Sequence, residues 1–392
     1  MIRRPPRSTL DRSSAASDVY KRQLLAVPLF VFMGVVLEKS GIAAQMLTDM
    51  AKAFRNIKGG LSISIIIVGA LLAASTGIVG ATVVTMGLMS LPALIQEGYN
   101  KKFSSGLVAA TGTLGQIIPP SIALVLLGDV MSNAYQRAQN DLGIFAVETV
   151  SVGDLFVGAI VPGLLICLFF LIYSIYFNRN LPANSDIDTN LTLQPILRSL
   201  IPPMLLIFLV LGSIIAGIAT PTEAAAIGAM GAIGIALFLK KLSMNLIKEV
   251  SQRTALITTM IFAILIGASI FSLIFRGVGG DALVDVIFEL VPGGKYSALL
   301  FVMLMIFLLG FILDFIEICY VFIPLLAPPL LMMGFDPVWL AVLLAINLQT
   351  SFLTPPFGFS LFYLRGVADC LLYTSDAADE RSSVDLGGRR II

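Results

Sequence analysis

Two stretches of this sequence combine residues that can bind ions with residues that interrupt a helix. Residues 111–121 read TGTLGQIIPPS and residues 347–358 read NLQTSFLTPPFG, each inside an apolar run. Proline lacks an N–H group and its ring clashes with the preceding turn, so each proline pair should break its helix at about mid-membrane depth. Broken backbone is tolerated there only inside protein or along a watery cavity. Each stretch therefore indicates a transport site, although one pair alone would also fit a simple proline kink.

The two stretches occupy matching positions in two halves of the chain. A Gly-Tyr pair at 98–99 precedes the proline pair at 119–120 by the same number of residues as a Gly-Phe pair at 334–335 precedes the proline pair at 355–356. Two broken helices at equivalent positions are typical of transporters built from internal repeats. We therefore expect two pseudo-symmetric sites.

Two short apolar segments supply further polar residues. Residues 61–74 would make a helix of roughly 21 Å, too short for a hydrocarbon core of about 30 Å, and they lead into serine, threonine and glycine residues. We predict that residues 61–95 form a re-entrant helical hairpin with its tip at 75–82; the alternative is one long helix with a glycine bend. The second half repeats the pattern over residues 297–330, with the tip near 314–317.

At the predicted tips and breaks, helix ends point into the protein, and the chemistry of these ends determines which ligands can bind there. Free N–H groups at helix N-termini favour anions, whereas unpaired carbonyls and hydroxyls suit Na⁺. Asp314 and Glu317 lie in apolar surroundings, where carboxylates are usually functional, unless a wet tip lets them face water. Serine and threonine in membrane helices also serve as packing contacts. The candidate ion- and substrate-binding residues are Ser75, Thr76, Gly77, Gly80, Thr82, Thr111, Gly112, Thr113, Gly115, Pro119, Pro120, Ser121, Asp314, Glu317, Asn347, Gln349, Thr350, Ser351, Thr354, Pro355 and Pro356, with Na⁺ nearest Ser75, Thr113, Asp314 and Thr354.

Composition restricts the classes of protein to which the chain can belong. The mean hydropathy is +0.96, 57% of the residues are hydrophobic and the net charge is +1. These values indicate a polytopic membrane protein and give no sign of a nucleic-acid partner. The sequence contains no histidine, which excludes histidine metal ligands and histidine proton relays. No catalytic residues and no cofactor other than Na⁺ as the coupling ion are predicted.

The elements that must position these residues are all predicted to be helical. We expect a first inverted repeat over 24–177, a linker over 178–199, and a second inverted repeat with preceding scaffold helices over 200–368. In order, the elements are a helix at 24–37, an interfacial helix at 38–58, the first hairpin, a broken helix at 104–128, a polar loop at 129–153, spanning helices near 155–177, 200–218, 222–239 and 254–275, an interfacial segment at 276–296, the second hairpin, and a broken helix at 338–364.

Loop charges predict the orientation of the two halves. If the first hairpin opens to the cytoplasm, the loops at 39–58, 96–103, 178–199 and 240–253 are cytoplasmic, and they hold most of the loop lysines and arginines. This bias obeys the positive-inside rule. It also places equivalent loops of the two halves on opposite sides, so that the repeats are inverted. Glu223 is expected in the first turn of a helix that starts at Pro221.

The two terminal segments differ in character from the rest of the chain. Residues 1–23 are rich in charge and lack apolar periodicity, and residues 369–392 are equally unlike what precedes them. The N-terminal VYKRQ and the C-terminal LLYTS resemble opposite readings of one sequencing adapter. We therefore set both segments aside from the fold and predict that neither packs consistently on the core.

The core resembles the large membrane (permease) subunit of a tripartite ATP-independent periplasmic (TRAP) transporter. The matching stretches are 80–92 (GATVVTMGLMSLP), 98–99 (GY), 112–121 (GTLGQIIPPS), 220–224 (TPTEA), 313–329 and 347–366. The resemblance implies a multi-pass protein of the bacterial inner membrane that imports small organic acids with Na⁺ by an elevator mechanism. It implies a periplasmic substrate-binding protein and a small membrane subunit as partners. It places Na⁺ sites at 75–82, 111–116, 314–317 and 347–354.

The chain departs from the family pattern at its ends, because the family's first helix or so and its last helix are missing. Asp369 stands where the family usually has proline. A standalone ion-coupled carrier of organic anions with a related inverted-repeat fold is the alternative function. An intramembrane hydrolase would need a catalytic pair, and neither a second aspartate beside Asp314 nor a histidine to activate a serine is available. We therefore do not expect an enzyme.

Overall fold

The computed structural model describes residues 24–54, 56–76, 79–144, 148–179, 193–355 and 358–367. Every regular element within these ranges is a helix, as predicted. The helices are α1 (Ala26–Lys39), α2 (Ile42–Ala53), α3 (Gly60–Thr76), α4 (Val79–Gln96), α5 (Lys101–Thr113), α6 (Ile122–Asp141), α7 (Val152–Phe177), α8 (Leu193–Ile215), α9 (Pro221–Phe238), α10 (Met244–Gly277), α11 (Gly280–Leu290), α12 (Lys295–Leu309), α13 (Phe315–Met332), α14 (Pro337–Phe352) and α15 (Phe359–Val367).

The lengths and composition of these helices confirm a polytopic membrane protein. Within the described residues, six helices are long and apolar enough to span a membrane, or eight if each of two bent helix pairs is one span. Large apolar side chains are exposed along α7 and α10, for example Phe169, Tyr176, Leu256 and Leu273. Such contiguous apolar surface is what a helix presents to lipid.

The first hairpin consists of two helices, as the sequence predicted, but the turn between them is shorter than the predicted tip at 75–82. Helices α3 and α4 pack against each other, and only residues 77 and 78, which lie outside the described residues, separate them. Ser75 and Thr76 belong to the end of α3, whereas Gly80 and Thr82 lie in the first turn of α4. Hydroxyl residues can remain helical because they bond to backbone carbonyls of their own helix, so the polar pattern overstated the turn.

The second hairpin has its turn a few residues earlier than predicted. Helix α12 ends at Leu309 and α13 begins at Phe315, so the turn comprises residues 310–314. Glu317 lies in the first turn of α13 and not in the tip. A π-helical segment, Ile318–Phe322, follows it; such segments occur often at functional sites.

Both predicted helix breaks are present. A 3₁₀ turn at Leu114–Gln116 and a non-helical stretch containing a cis bond between Pro119 and Pro120 separate α5 from α6. Helix α14 ends at Phe352 and α15 begins at Phe359. Pro355 lies in the gap, and Pro356 lies outside the described residues. The proline pairs therefore predicted the breaks correctly.

Residues 129–153 were predicted to form a polar loop, and that prediction was wrong for the first part. Helix α6 continues to Asp141. One face of this extension, which includes Val130, Ala134 and Ala138, is buried, and exposed polar residues such as Asn133 and Asn140 occupy the other face. The apolar residues recur at helical spacing, a pattern that the high polar content of the stretch obscured.

The linker between halves is also shorter than predicted where it can be described, because α8 begins at Leu193. Residues 180–192, most of the predicted linker, lie outside the described residues, as do both terminal segments, 1–23 and 368–392. The expectation that Glu223 caps a helix is confirmed. Its carboxylate accepts hydrogen bonds from the backbone N–H and hydroxyl of Thr220, at 2.8 Å each, while Thr220 caps the first turn of α9.

In each half, the helix that follows the break packs on the hairpin of the other half. Helix α6, which follows the first break, packs on α13, the returning arm of the second hairpin. Helix α15, which follows the second break, packs on α4, the returning arm of the first hairpin. This reciprocal packing joins the helix that follows each break to the hairpin of the other half.

Gly112 and Gly115, two of the candidate residues, lie where the broken helix packs on the first hairpin. A Cβ atom at Gly112 would collide with the side chain of Val83 on α4 and lie 3.1 Å from its Cα. A Cβ atom at Gly115 would lie 3.2 Å from the carbonyl oxygen of Ala73 on α3. Both glycines therefore permit a close approach between the broken helix and the first hairpin.

Gly112→Ala should therefore destabilise the protein by about 1–3 kcal/mol through overpacking. Thermal unfolding of the purified protein in detergent would measure the loss. Gly106→Ala is the matched control, because Gly106 lies on the same helix and its Cβ would meet nothing within 4 Å. That control should be neutral or stabilising by up to about 1 kcal/mol, the helix propensity gain. Equal melting temperatures for the two variants would contradict the packing role.

Candidate functional site

A cavity of about 90 Å³ lies where the two hairpin tips and the first break meet. We call it the inner cavity. Val79 and Gly80 line it from the first hairpin, Asp314 from the second, and Gln116 from the first break. Tyr363 contributes from α15, and Ile257, Met260 and Ile261 close one side from α10. The inner cavity therefore collects residues from both halves of the chain.

Three helices begin at the wall of the inner cavity. Val79, Ile122 and Phe315 are the first residues of α4, α6 and α13, and all three line it. The first N–H groups of a helix have no intrahelical acceptor, and together they carry a partial positive charge. This arrangement suits an anionic group of a ligand.

Gly80 determines how closely the two halves approach at the inner cavity. A Cβ atom at Gly80 would lie 2.7 Å from the ring of Tyr363. Any larger residue would therefore have to displace the Tyr363 ring that forms part of the cavity wall. Gly80 thus permits this close approach by the absence of a side chain.

The backbone of the first break is held by a single hydroxyl. Ser121 is the N-cap of α6, and its Oγ also donates to the carbonyl oxygens of Gly115 at 2.6 Å and Gln116 at 3.3 Å. A carbonyl oxygen has two lone pairs, so each of these oxygens can still accept one further partner. Ser121 therefore fixes the shape of the break and has a structural role.

The two broken helices touch each other at equivalent positions. Gln349 Nε2 donates to Thr113 Oγ1 at 3.4 Å, and the two residues are 236 positions apart. The same offset separates the two proline pairs. A contact between equivalent residues of two repeats lies near the axis that relates them, so this pair marks the centre of the pseudo-symmetry.

Thr111 and Asn347, separated by the same offset, both contact the first arm of their own hairpin. Thr111 packs so closely on Gly69 of α3 that a Cβ atom added to this glycine would lie 2.9 Å from Thr111 Cβ. Asn347 Nδ2 donates to the carbonyl oxygen of Met303 on α12 at 2.8 Å. These two candidates therefore join each broken helix to its hairpin.

Hydroxyl groups near both breaks donate to their own helices. Thr113 Oγ1 donates to the Ala110 carbonyl at 2.8 Å, and Thr350 and Thr354 donate at 2.7 and 2.8 Å to the carbonyls of Asn347 and Thr350. Ser351 donates in the same way to Leu348. Because the proton of each hydroxyl is used in this bond, its oxygen lone pairs remain available to a cation. Thr113 Oγ1 is the exception, since it already accepts from Gln349 and keeps one lone pair free.

Two buried glutamine side chains carry an oxygen without a partner. Gln116 is 1% exposed and Gln349 is 2% exposed. The Oε1 atom of each accepts no hydrogen bond within the described part of the chain. Buried polar atoms are nearly always paired, and an exception calls for an explanation such as an ion or a water. A neutral amide oxygen is a suitable ligand for a hard cation.

The two candidate carboxylates differ in placement. Asp314 lines the inner cavity, and its side chain does not cap α13 although it occupies the N-cap position. Glu317 is partly buried one turn later and does not line that cavity. No group of three His, Cys, Asp or Glu side chains clusters among the described residues. A cation near Asp314 would therefore take most of its ligands from neutral oxygens.

The structure thus gathers some candidates and separates others. Gly80 and Asp314 line the inner cavity. Four other candidates do not line it and are buried where the helices pack: Thr113, Gln349, Gly115 and Ser351. The side chains of Ser75 and Thr76, and all of Gly77 and Pro356, lie outside the described residues. Sequence reasoning missed Gln116, although it stands inside the first motif, and Tyr363. The residues of α10 carry no polar signal and could not have been found.

The chain is similar to known proteins over most of its length. The family described as "Tripartite ATP-independent periplasmic transporter, DctM component" matches residues 8–378, which takes in part of both terminal segments. The chain is 30% identical over 358 residues to the C4-dicarboxylate TRAP transporter large permease protein DctM of Rhodobacter capsulatus, with 90% of this chain and 80% of that protein covered.

Two further similarities extend this comparison. The chain is 27% identical to the sialic acid TRAP transporter large permease protein SiaM of Vibrio cholerae, over 90% of this chain and 79% of that protein. Its fold matches the crystal structure of the Alcanivorax borkumensis YdaH transporter with a TM-score of 0.62 at 13% identity, over 88% of this chain and 77% of that one. At this identity, the similarity to YdaH concerns the fold alone.

Proposed function

Because this chain belongs to the DctM component family of tripartite ATP-independent periplasmic transporters, we propose that it couples the import of small organic acids to the entry of Na⁺. Members of the family are large permease subunits, multi-pass proteins of the inner membrane that carry out secondary transport with a periplasmic binding protein. Na⁺ as the coupling ion, the organic acid as substrate, and an elevator movement of the hairpins are the parts that we add.

The names of the relatives support an acidic substrate. They include large permeases for C4-dicarboxylates, for sialic acid and for ectoine. The three helix N-termini around the inner cavity would hold an acid group. Among the described residues that line this cavity none is Lys or Arg, so the helix ends and the Na⁺ ions would have to balance the charge of the substrate.

Na⁺ would bind on either side of this cavity. In the first half, Thr113 Oγ1 and the Gln116 side chain offer oxygens beside the break; in the second half, Asp314, Gln349 and Thr354 do so. A partly dehydrated Na⁺ needs several such oxygens, and interrupted helices supply them at membrane depth. Binding of Na⁺ would also stabilise the tips around the substrate.

A small membrane subunit is the second proposed partner. One relative, the isethionate TRAP transporter permease protein DctMQ of Oleidesulfovibrio alaskensis, is 30% identical over 88% of this chain, yet this chain covers only 52% of it. The extra length of that relative leaves room for a further subunit in the same polypeptide. We propose that a small subunit of this kind works with this chain.

The observation that carries the proposal is the inner cavity, where polar interruptions from both halves meet. Reconstitution of the chain in liposomes, with a small subunit and a binding protein of the same transporter family, tests the proposal. Labelled C4-dicarboxylates and other small organic acids, loaded on the binding protein, should enter when Na⁺ is high outside. A K⁺ gradient of the same size should not drive uptake, and equal uptake under both gradients would contradict Na⁺ coupling.

A standalone carrier is the competing function, and the same liposomes distinguish it. Such a carrier would take up the free acid at full rate without the binding protein or the small subunit. We expect uptake to fall to the background when the binding protein is omitted. The inverted-repeat fold alone does not separate these functions, because both use it.

A further inference from the structure

A second and larger cavity, of about 380 Å³, lies between α6, α10 and α13. We call it the outer cleft. It is open at the surface and is lined by polar side chains that include Asn133, Gln136, Arg137 and Arg276. By the loop charges, the end of the molecule that carries it faces the periplasm. Arg276 is exposed next to the last residue of α10, and Arg137 is partly buried on α6, so the cleft carries positive side chains at its surface end.

The outer cleft and the inner cavity share one face of α6. Ile122 and Leu126 line the inner cavity, and Asp129, Asn133 and Arg137 line the outer cleft. These residues recur every three or four positions, so they form a continuous stripe along the helix. The stripe changes from apolar to polar at Asp129, at the inner end of the cleft.

Helices α10 and α13 repeat this arrangement. On α10, Ile257 and Ile261 line the inner cavity, whereas Ser272 and Arg276 line the outer cleft. On α13, Phe315 lines the inner cavity, and Tyr320 and Pro324 line the outer cleft. Because the same three helices form both cavities in the same order, the two are successive compartments of one groove.

The charges within the outer cleft are not equivalent. Arg137 is held by Asp281 at 2.7 Å and by Asp141 at 3.8 Å, so its charge is largely balanced. Arg276 forms no ion pair with any described residue and lies at the outer end. Asp129 faces the opposite, inner end. An anion would therefore be attracted to the mouth beside Arg276.

We propose that the outer cleft is the entry site for a small organic anion on its way to the inner cavity, with Arg276 as the residue that attracts it. This inference rests on the proposed function, because it supplies the substrate for the inner cavity. The amide side chains of Asn133 and Gln136 would hold the anion by neutral hydrogen bonds, which lets it leave again toward the inner cavity. Arg137, fixed by its ion pairs, would shape the site.

A labelling experiment on the purified, full-length chain tests the entry site without any transport. Ser272→Cys places a thiol on the cleft wall one turn from Arg276. Two reagents are compared, the anionic methanethiosulfonate ethylsulfonate and its trimethylammonium analogue, and each rate is divided by the rate of that reagent with a free thiol. The ratio of the anionic rate to the cationic rate should exceed one. Arg276→Gln should lower this ratio about tenfold, and Arg276→Lys should preserve most of it. Succinate should slow both reactions in the parent background.

A thiol introduced by Ser251→Cys, at the other end of α10, is the matched control. Its charge preference should not change with Arg276→Gln, and succinate should not protect it. All variants are made in a Cys370→Ser background, because Cys370 lies outside the described residues. This background, whose Cys167 and Cys319 are buried, gives the blank. Lack of reaction at Ser272→Cys, lack of charge preference, or lack of protection by succinate would each overturn the proposal. Because labelling needs neither Na⁺ nor a binding protein, failed uptake with intact protection would count against the proposed transport alone.

Discussion

Uptake by an Asp314→Ala variant is expected to need about tenfold more Na⁺ for its half-maximal rate than uptake by the parent chain. Asp314 is the one carboxylate among the described residues that line the inner cavity, and its side chain caps no helix. Removing its charge takes away an attraction to a nearby cation that is large at low dielectric. A shift of about 1.4 kcal/mol corresponds to a tenfold change in affinity. A Na⁺ titration of uptake into liposomes measures it.

Glu317→Gln is the matched control for Asp314→Ala. Glu317 is also an acid of the second hairpin, three residues away, but it does not line the inner cavity. The Na⁺ requirement of this variant should change less than that of Asp314→Ala, by about threefold at most, because Glu317 supplies no oxygen to the inner cavity and would act on a cation there only through its charge. Thr113→Val tests the first half in the same assay and should also weaken Na⁺ dependence. If Asp314→Ala and Thr113→Val both kept the parent titration curve, the placement of Na⁺ would be wrong.

The parts of the fold that sequence predicted well are those governed by local backbone chemistry. The proline pairs at 119–120 and 355–356 cannot continue a helix, and breaks occur at both. The glutamate at 223 capped its helix for a similarly local reason. By contrast, the polar extension of α6 to Asp141 was missed, because its buried face is formed by contacts with distant helices.

The inner cavity itself could be predicted only in part. Asp314 and Gly80 were among the candidates because their types and positions were unusual for a spanning segment. The contact between Thr113 and Gln349 joins residues 236 positions apart, and no local pattern reveals which equivalent residues meet at a pseudo-symmetry axis. The apolar wall that α10 provides could not be predicted either, since Ile257 and Ile261 are of the same type as any other lipid-facing residues.

Gln116→Leu is expected to raise the stability of the protein while it removes transport. Gln116 is 1% exposed, and its Oε1 is buried without a partner among the described residues. An unpaired buried polar group costs about 1–3 kcal/mol, and replacing it by an apolar group of similar shape is neutral or stabilising. A residue that lowers stability and nevertheless lines the inner cavity is explained most simply by a ligand that it binds.

Gln139→Leu should have the opposite effect on stability and is therefore the control for Gln116→Leu. Gln139 is also buried on the same broken helix, but its Nε2 donates to the carbonyl of Glu148 at 2.9 Å and its Oε1 accepts from the N–H of Glu148 at 2.8 Å. Its replacement leaves these backbone groups unpaired, so stability should fall by about 1–3 kcal/mol. The melting temperature in detergent and the uptake rate per folded protein measure the two effects separately. A Gln116→Leu variant that transports at the parent rate, or that melts as early as Gln139→Leu, would show that Gln116 holds the fold together instead of binding a ligand.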